Sequence, residues 1–229
     1  ENTDYYSKEI YQKGKDNFDR LVENKMMIQE KSSNYYVYQL IMNGHKQTGI
    51  VGCCAIDDYF NNTIKKHELT RKDKEEDRKN HIRYSRLNYE PVFFAYPKVD
   101  DLDSIVDQIK KEETTYDFLT EDNIQHTLWT INDSEIQIQI QKLFKDKVPN
   151  IYIADGHHRS AAASKVRESR MNANPEHGGS ESYNHFLAVA FPKSEMKILD
   201  YNRLIKHTNG KSTDELIAMI EDNFKCTVS

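Results

Sequence analysis

The sequence predicts an α+β fold in which helices flank a mixed β-sheet. Short runs rich in Tyr, Val, Ile and Phe, typical of strands, alternate irregularly with segments of helical periodicity. The strict strand–helix alternation of a doubly wound sheet is missing, and the chain contains neither an internal repeat nor a low-complexity linker. Its 229 residues suffice for one large domain or two small ones, and we expect a single α+β domain over residues 1–229.

The amino-terminal elements are a helix and a hairpin. Apolar residues at helical spacing predict a helix over residues 5–25. Two strand-like runs, 34–42 and 48–56, are separated by Asn43-Gly44, a dipeptide typical of tight hairpin turns. The start at Glu1 without Met, and an ending that resembles the first residues of a strand, indicate a fragment of a longer protein.

The remaining elements follow from the same periodicities. Residues 65–83 are strongly charged, which is typical of a solvated helix with pairs such as Glu75–Lys79. The other predicted elements are strands at 91–96, 127–131, 149–154, 186–191 and 197–204, helices at 102–109 and 134–144, a helix from Ser160, a turn at 178–180 and a last helix capped by Ser212 or Thr213.

Charge and hydropathy exclude two function classes. The net charge is −5 and the pI about 6.0, so a general nucleic-acid binder is not expected, and a DNA partner is unlikely without a basic face or a helix-turn-helix. Mean hydropathy is −0.84, and no apolar run approaches the roughly 18 residues of a membrane helix. A homodimer is left open.

Three cysteines argue for a reducing compartment. Cys53 and Cys54 are adjacent, Cys226 is distant, and there is no CxxC, so we expect neither a disulfide framework nor a structural zinc site. The predicted location is the cytoplasm. In a strand, Cys53 and Cys54 would point to opposite faces, one into the core and one half-exposed.

The most informative stretch is residues 151–159, IYIADGHHR. A strand ends, Gly156 permits a tight turn, and a helix begins with free backbone N–H groups that favour phosphate. Arg159 could bind phosphate oxygens in pairs, while His157 and His158 could donate hydrogen bonds or bind a metal. Asp155 would repel phosphate and is explained if it holds a metal or the hydroxyl or amine of a second substrate.

Two other interpretations of the motif stay open. Asp155 could cap the helix, with Arg159 as an exposed helix residue. A zinc site at the two histidines is a third interpretation, although no HExxH or cysteine partner lies nearby.

The motif resembles the signature of the ParB/sulfiredoxin-like superfamily, whose members place such a turn under nucleotide phosphates. Nearly the whole chain, including KKHELTRKDKEEDR and YIADGHHRSAAA, resembles a large microbial family of unknown function. Free serine kinases of the superfamily are the nearest functional relatives that the resemblance offers. It implies a ParB/sulfiredoxin-like core around the strand–turn–helix, interrupted by a large insertion.

The kinase resemblance also implies site residues. Those kinases have an upstream His-Glu pair, matched here by His67-Glu68, with the Glu as the base and the motif Asp helping to orient it. This nominates Glu68 and Asp155 as catalytic residues, although 86 residues separate them. Gly156, His157, His158 and Arg159 would bind the phosphates of ATP or ADP, with Arg71 as a further candidate. Mg²⁺ would arrive with the nucleotide, held by no protein ligand except Asp155.

The leading functional hypothesis is therefore a nucleotide-dependent phosphotransferase acting on a small hydroxyl compound, with free serine as the implied acceptor. A non-catalytic nucleotide-binding regulator of the ParB kind is the alternative, so the sequence does not decide whether the protein is an enzyme. A redox repair enzyme of the sulfiredoxin kind ranks last, because it would need a cysteine in the motif where this chain has histidine.

Overall fold

The structure, a computed structural model, describes residues 6–200, 202 and 204–225. The chain divides into two compact units, Glu1–Met196 and Lys197–Ser229, and each is described by itself. The first contains an eight-stranded mixed sheet with helices around it, which confirms the α+β class with a mixed sheet. The single domain and the ParB/sulfiredoxin-like core stay predictions.

The described elements have the following bounds. The strands are β1 (Tyr35–Met42), β2 (His45–Ala55), β3 (Ile64–Lys65), β4 (Val92–Tyr96), β5 (Tyr116–Leu119), β6 (Gln125–Ile131), β7 (Ile151–Asp155) and β8 (His185–Pro192). The α-helices are α1 (Lys8–Glu23), α2 (Ile56–Phe60), α3 (Lys72–Ser85), α4 (Asp100–Ile109), α5 (Ser134–Lys147), α6 (His157–Asn172) and α7 (Thr213–Glu221).

The sheet combines an antiparallel part with a mixed edge. Its strand order is β3-β7-β4-β8-β2-β1-β6-β5. Strands β5, β6, β1, β2 and β8 pair antiparallel, whereas β4 runs parallel to β8, and β3 parallel to β7. The predicted hairpin joins β1 to β2 at Asn43-Gly44, where both residues have the positive φ that this turn requires.

One sheet face carries the main core. Buried and half-buried residues alternate along β4 and β6, so every second side chain of these strands points to the same side. Helices α4 and α5 cover this side, and the Phe144 ring of α5 meets Tyr96 of β4 with 5.2 Å between ring centroids. Trp129 is 6% exposed and belongs to this core.

Several sequence predictions are corrected. Helix α6 begins at His157 rather than Ser160, and strand β5 was not expected, since all four of its side chains are exposed and it has no alternation. The strand predicted at 197–204 is wrong for its described residues, none of which is in a strand. Ile198 and Leu204 there are almost fully exposed, and the described residues of this run pair with no strand.

The remaining outcomes concern the cysteines and the carboxyl-terminal residues. Cys53 is exposed and Cys54 is partly buried, as the alternation of a strand predicts, while Cys226 and the strand expected at the chain end lie outside the described residues. Ser212 is the cap of α7, with its hydroxyl accepting from the Glu215 N–H. Among the described residues, no helix combines the length and the apolar character needed to cross a membrane.

Candidate functional site

The DGHHR motif forms the strand-to-helix turn that its sequence predicts. Strand β7 ends at Asp155, and Gly156, with φ +100°, is the cap residue of α6. A Cβ on Gly156 would lie 3.2 Å from both Val92 Cγ1 and Arg159 Nε, so glycine is needed for conformation and for space. The first turn of α6 leaves backbone N–H groups without intrahelical acceptors, at the positive end of the helix dipole.

The segment with His67 and Glu68 lies against this turn because β3 pairs with β7. The two strands are parallel, with Ile64 opposite Ile151 and Lys65 opposite Tyr152. Parallel strands have their carboxyl ends at the same edge of a sheet, so the residues after Lys65 and the residues after Asp155 emerge together. This pairing brings Glu68 close to the motif in space, although 86 residues separate Glu68 from Asp155 in the sequence.

The two histidines of the motif hold both ends of the loop 67–71. His157 Nε2 accepts a long hydrogen bond of 3.5 Å from the backbone N–H of His67, and His158 Nε2 accepts one of 3.1 Å from the backbone N–H of Arg71. The rings of His67 and His157 also meet edge to face, with centroids 4.5 Å apart. Both histidines are therefore acceptors at Nε2, and each neutral ring carries its proton on Nδ1.

His157 places that proton beside Glu68. The distance from His157 Nδ1 to Glu68 Oε2 is 3.4 Å, with His157 4% exposed and the Glu68 side chain 57% exposed. Burial, followed by the neighbouring His67, lowers the pKa of His157, and the nearby Glu68 only partly opposes this. The arrangement is a buried imidazole beside an accessible carboxylate.

An ion pair with one buried partner, Glu75, lies near the loop and was missed in the sequence. Glu75 of α3 is buried, and its carboxylate contacts Lys165 of α6 and the hydroxyl of Thr70. Burial alone raises the pKa of Glu75, but the hydrogen bonds from Lys165 and Thr70 lower it by more. The predicted Glu75–Lys79 pair is wrong, because Lys79 contacts Glu76 instead.

Arg159 and Asp155 contact each other across the turn. The Arg159 guanidinium bonds to Asp155 Oδ2 and to the carbonyl oxygen of Pro91, and its Nε lies 3.9 Å from Glu90. The Asp155 side chain is 70% exposed and makes no helix-cap hydrogen bond. The Arg71 guanidinium pairs with Asp73 and is exposed, so Arg71 reaches the site through its backbone N–H alone.

The described residues offer no cluster of side chains that could bind a metal ion without a further ligand. Among the residues that the structure describes, no group of three or more His, Cys, Asp or Glu side chains is arranged to hold a metal ion. The Nε2 atoms of His157 and His158 are used by the loop, so the zinc interpretation would have to break both contacts. Asp155, with one carboxylate oxygen on Arg159, is the exposed oxygen ligand of this turn.

Comparison with known proteins shows the family. The sequence model of a family described as "Protein of unknown function (DUF1015)" matches residues 1–228. The chain belongs to this family. The match covers both compact units of this DUF1015 protein and confirms the expected family of unknown function. No curated protein and no solved structure matches the chain.

Proposed function

We propose that this DUF1015 protein is a nucleotide-dependent phosphotransferase acting on a small hydroxyl compound, with Glu68 as general base. The observation that supports it is the 3.4 Å contact between Glu68 and His157, which joins the upstream His-Glu pair to the DGHHR turn. Free serine is the acceptor that the kinase resemblance suggests. The reaction moves the terminal phosphoryl group from nucleotide to acceptor oxygen, while Glu68 takes the hydroxyl proton.

Glu68 has the surroundings of a base rather than of a structural carboxylate. It is more than half exposed, so an acceptor can approach it, and His157 Nδ1 lies 3.4 Å from one of its oxygens. A base must come within about 3 Å of the proton it removes, or act through one water. In the proposed site, the second Glu68 oxygen would take the proton of an acceptor bound over the first turn of α6.

The phosphates are best assigned to the backbone of that turn. The free N–H groups at the start of α6 and the helix dipole favour an anion there. The Arg159 guanidinium already contacts Asp155, Pro91 and Glu90. Its contribution is therefore a positive charge that offsets the acidic neighbours, rather than a pair of unused N–H donors for phosphate. Mg²⁺ carried by ATP or ADP would neutralise charge on the transferred group, and Asp155 is the residue that fits it as a ligand.

A nucleotide-binding regulator is the second candidate, and the Asp155–Arg159 contact favours it. Phosphate bound at the turn would repel the Asp155 carboxylate and attract Arg159, so binding would act against their ion pair. A ligand that changes a contact between β7 and α6 could shift the protein between two states without any chemistry.

The test combines binding and turnover. Calorimetry with ATP and ADP, each with Mg²⁺, measures nucleotide affinity, and product detection with serine and a panel of small alcohols measures transfer. Glu68→Gln should lower kcat by about 10²–10⁴-fold and leave nucleotide affinity unchanged, because it removes the base alone. Glu76→Gln, in the exposed pair with Lys79, is the matched control and should have no effect.

The possible results separate the candidates. Nucleotide binding without transfer to any acceptor would favour the regulator. Absence of nucleotide binding, or equal turnover by the Glu68 and Glu76 variants, would overturn the phosphotransferase proposal.

A further inference from the structure

A cavity of about 500 Å³ lies between α5 and the buried sheet face, outside the site built by the DGHHR turn. Strands β2 and β8 form its floor, and Ile140 and Phe144 of α5 form its roof. This volume falls within the range of about 300–1,000 Å³ that small-molecule sites occupy. None of Glu68, Asp155, His157 and His158 lines it.

The cavity exists because small residues meet on its floor. Gly52 pairs with Ala188, and Ile50 pairs with Ala190, which places these residues on the same face of neighbouring strands. A Cβ on Gly52 would lie 2.6 Å from the Tyr35 ring, so the glycine lets that ring lie directly over the strand as a wall of the cavity. Larger side chains at these positions would fill the space that α5 leaves open.

Two hydrogen-bond donors, Tyr35 and Lys145, line the cavity. The Tyr35 hydroxyl accepts from Gln141 Nε2 at 3.0 Å, which leaves its own O–H free to donate. Lys145 follows Gln141 by one turn of α5, on the same helix side. In the described part of the chain, Lys145 pairs with no carboxylate, so its positive charge at the cavity is not offset by the protein.

The remaining polar groups limit what the cavity can accept. Burial, with smaller contributions from Cys53 and Asp58, raises the pKa of Cys54 to about 12, so its thiol is neutral. Asp58 lines the cavity from α2, a different element from the one that carries Lys145. An anionic group therefore belongs at Lys145 rather than at Asp58.

We propose that this cavity binds a small carboxylate with an unbranched apolar tail, the chemistry of a medium-chain fatty acid. The tail would occupy the apolar space under Ile140 and Phe144, and the carboxylate would accept from Lys145 and Tyr35. Charge complementarity selects the head group, since Lys145 is a cation that pairs with no described carboxylate. This site is independent of the phosphotransferase proposal, because it shares no residue with that site.

The test is a titration of the full chain by calorimetry with hexanoate, octanoate and decanoate. Affinity should rise by about fourfold per added CH2, the equivalent of about 0.8 kcal/mol, until the cavity is full. Decanol and decylamine, which have the same tail without the carboxylate, should bind more weakly than decanoate.

Three variants locate the head group. Lys145→Gln should weaken decanoate binding by about fivefold, whereas Lys142→Gln, on the same helix but outside the cavity lining, should leave it unchanged. Asp58→Asn should strengthen it, because a repelling charge is removed. The proposal is overturned if none of the carboxylates binds, if decylamine binds as tightly as decanoate, or if the two lysine variants behave alike.

Discussion

Replacing Gly156 by alanine should destabilise the protein through both conformation and crowding. At φ +100° the residue lies beyond the left-handed region that other residues tolerate. A left-handed conformation costs a residue with a Cβ roughly 1–2 kcal/mol. The new Cβ would also stand 3.2 Å from Val92 Cγ1, in the core, and 3.2 Å from Arg159 Nε. Crowding of this kind costs about 1–3 kcal/mol, so the total loss should be about 2–5 kcal/mol.

Two other glycines separate the contributions. Gly44, in the β1–β2 turn, has φ +76° and nothing within 4 Å of an added Cβ, so Gly44→Ala should show the conformational cost alone, about 1–2 kcal/mol. Gly14, inside α1, has open space and no positive φ, so Gly14→Ala should stabilise the protein by about 0.5–1 kcal/mol. The three variants should therefore differ in sign as well as in size.

Urea unfolding of the three variants beside the unmodified chain measures these differences. The urea concentration at the midpoint should fall for Gly156→Ala and Gly44→Ala and rise for Gly14→Ala. In thermal unfolding of the same variants, each 1 kcal/mol should shift Tm by about 2–4 °C. If Gly156→Ala and Gly44→Ala lose equal stability, the close packing of Arg159 and Val92 around the turn is refuted.

Three further predictions concern buried polar groups. Glu75→Gln should cost about 1–3 kcal/mol of unfolding free energy at neutral pH. Lys165 and Thr70 lower the pKa of Glu75 against the opposing effect of burial, so the stability that the ionised Glu75 contributes should be lost as pH falls below the ordinary Glu pKa of 4.5. Acid unfolding of the Glu75→Gln variant should lack that loss. The pKa of His157 is lowered mainly by burial, so the folded state binds fewer protons than the unfolded state just below pH 6.5. The free energy of unfolding should therefore rise with pH in that window, and that of His157→Gln should depend less on pH there. Trp129, the one tryptophan of the sequence, is buried with no partner for its indole N–H, so its fluorescence emission should lie at short wavelength in the folded protein and shift to long wavelength in urea.

Local signals account for the parts of the fold that could be predicted. Asn43-Gly44 specifies its hairpin because only such residues adopt two successive positive φ angles easily. The strand that ends at Tyr96 follows from its apolar run, and the motif turn follows from a glycine between a strand and a helix. Each of these signals depends on neighbours within a few residues.

The missing parts depend on contacts between distant residues. Strand β3 has two residues, too few for any periodicity, yet its pairing with β7 is what brings Glu68 to the motif. Glu75 lies in a charged run and looks solvated until α3 packs against α6. The predicted strand at 197–204 shows the converse error, since an apolar run becomes a strand only where another strand can pair with it.

The hydrogen bonds of the two motif histidines limit how a phosphate group would bind in the proposed site. Consecutive residues of a helix point about 100° apart, so His157 and His158 reach different ends of the loop 67–71. Each uses Nε2 as an acceptor, and a ring nitrogen that accepts a backbone N–H cannot donate to phosphate at the same time. The imidazoles therefore hold the loop that carries Glu68 through their Nε2 atoms, and a phosphate bound there would have the amides of α6 and the Nδ1–H of His158 as donors. On the proposed function, the adjacent histidines would assemble the site by joining two distant segments of the chain, with the carboxylate beside His157 as the general base.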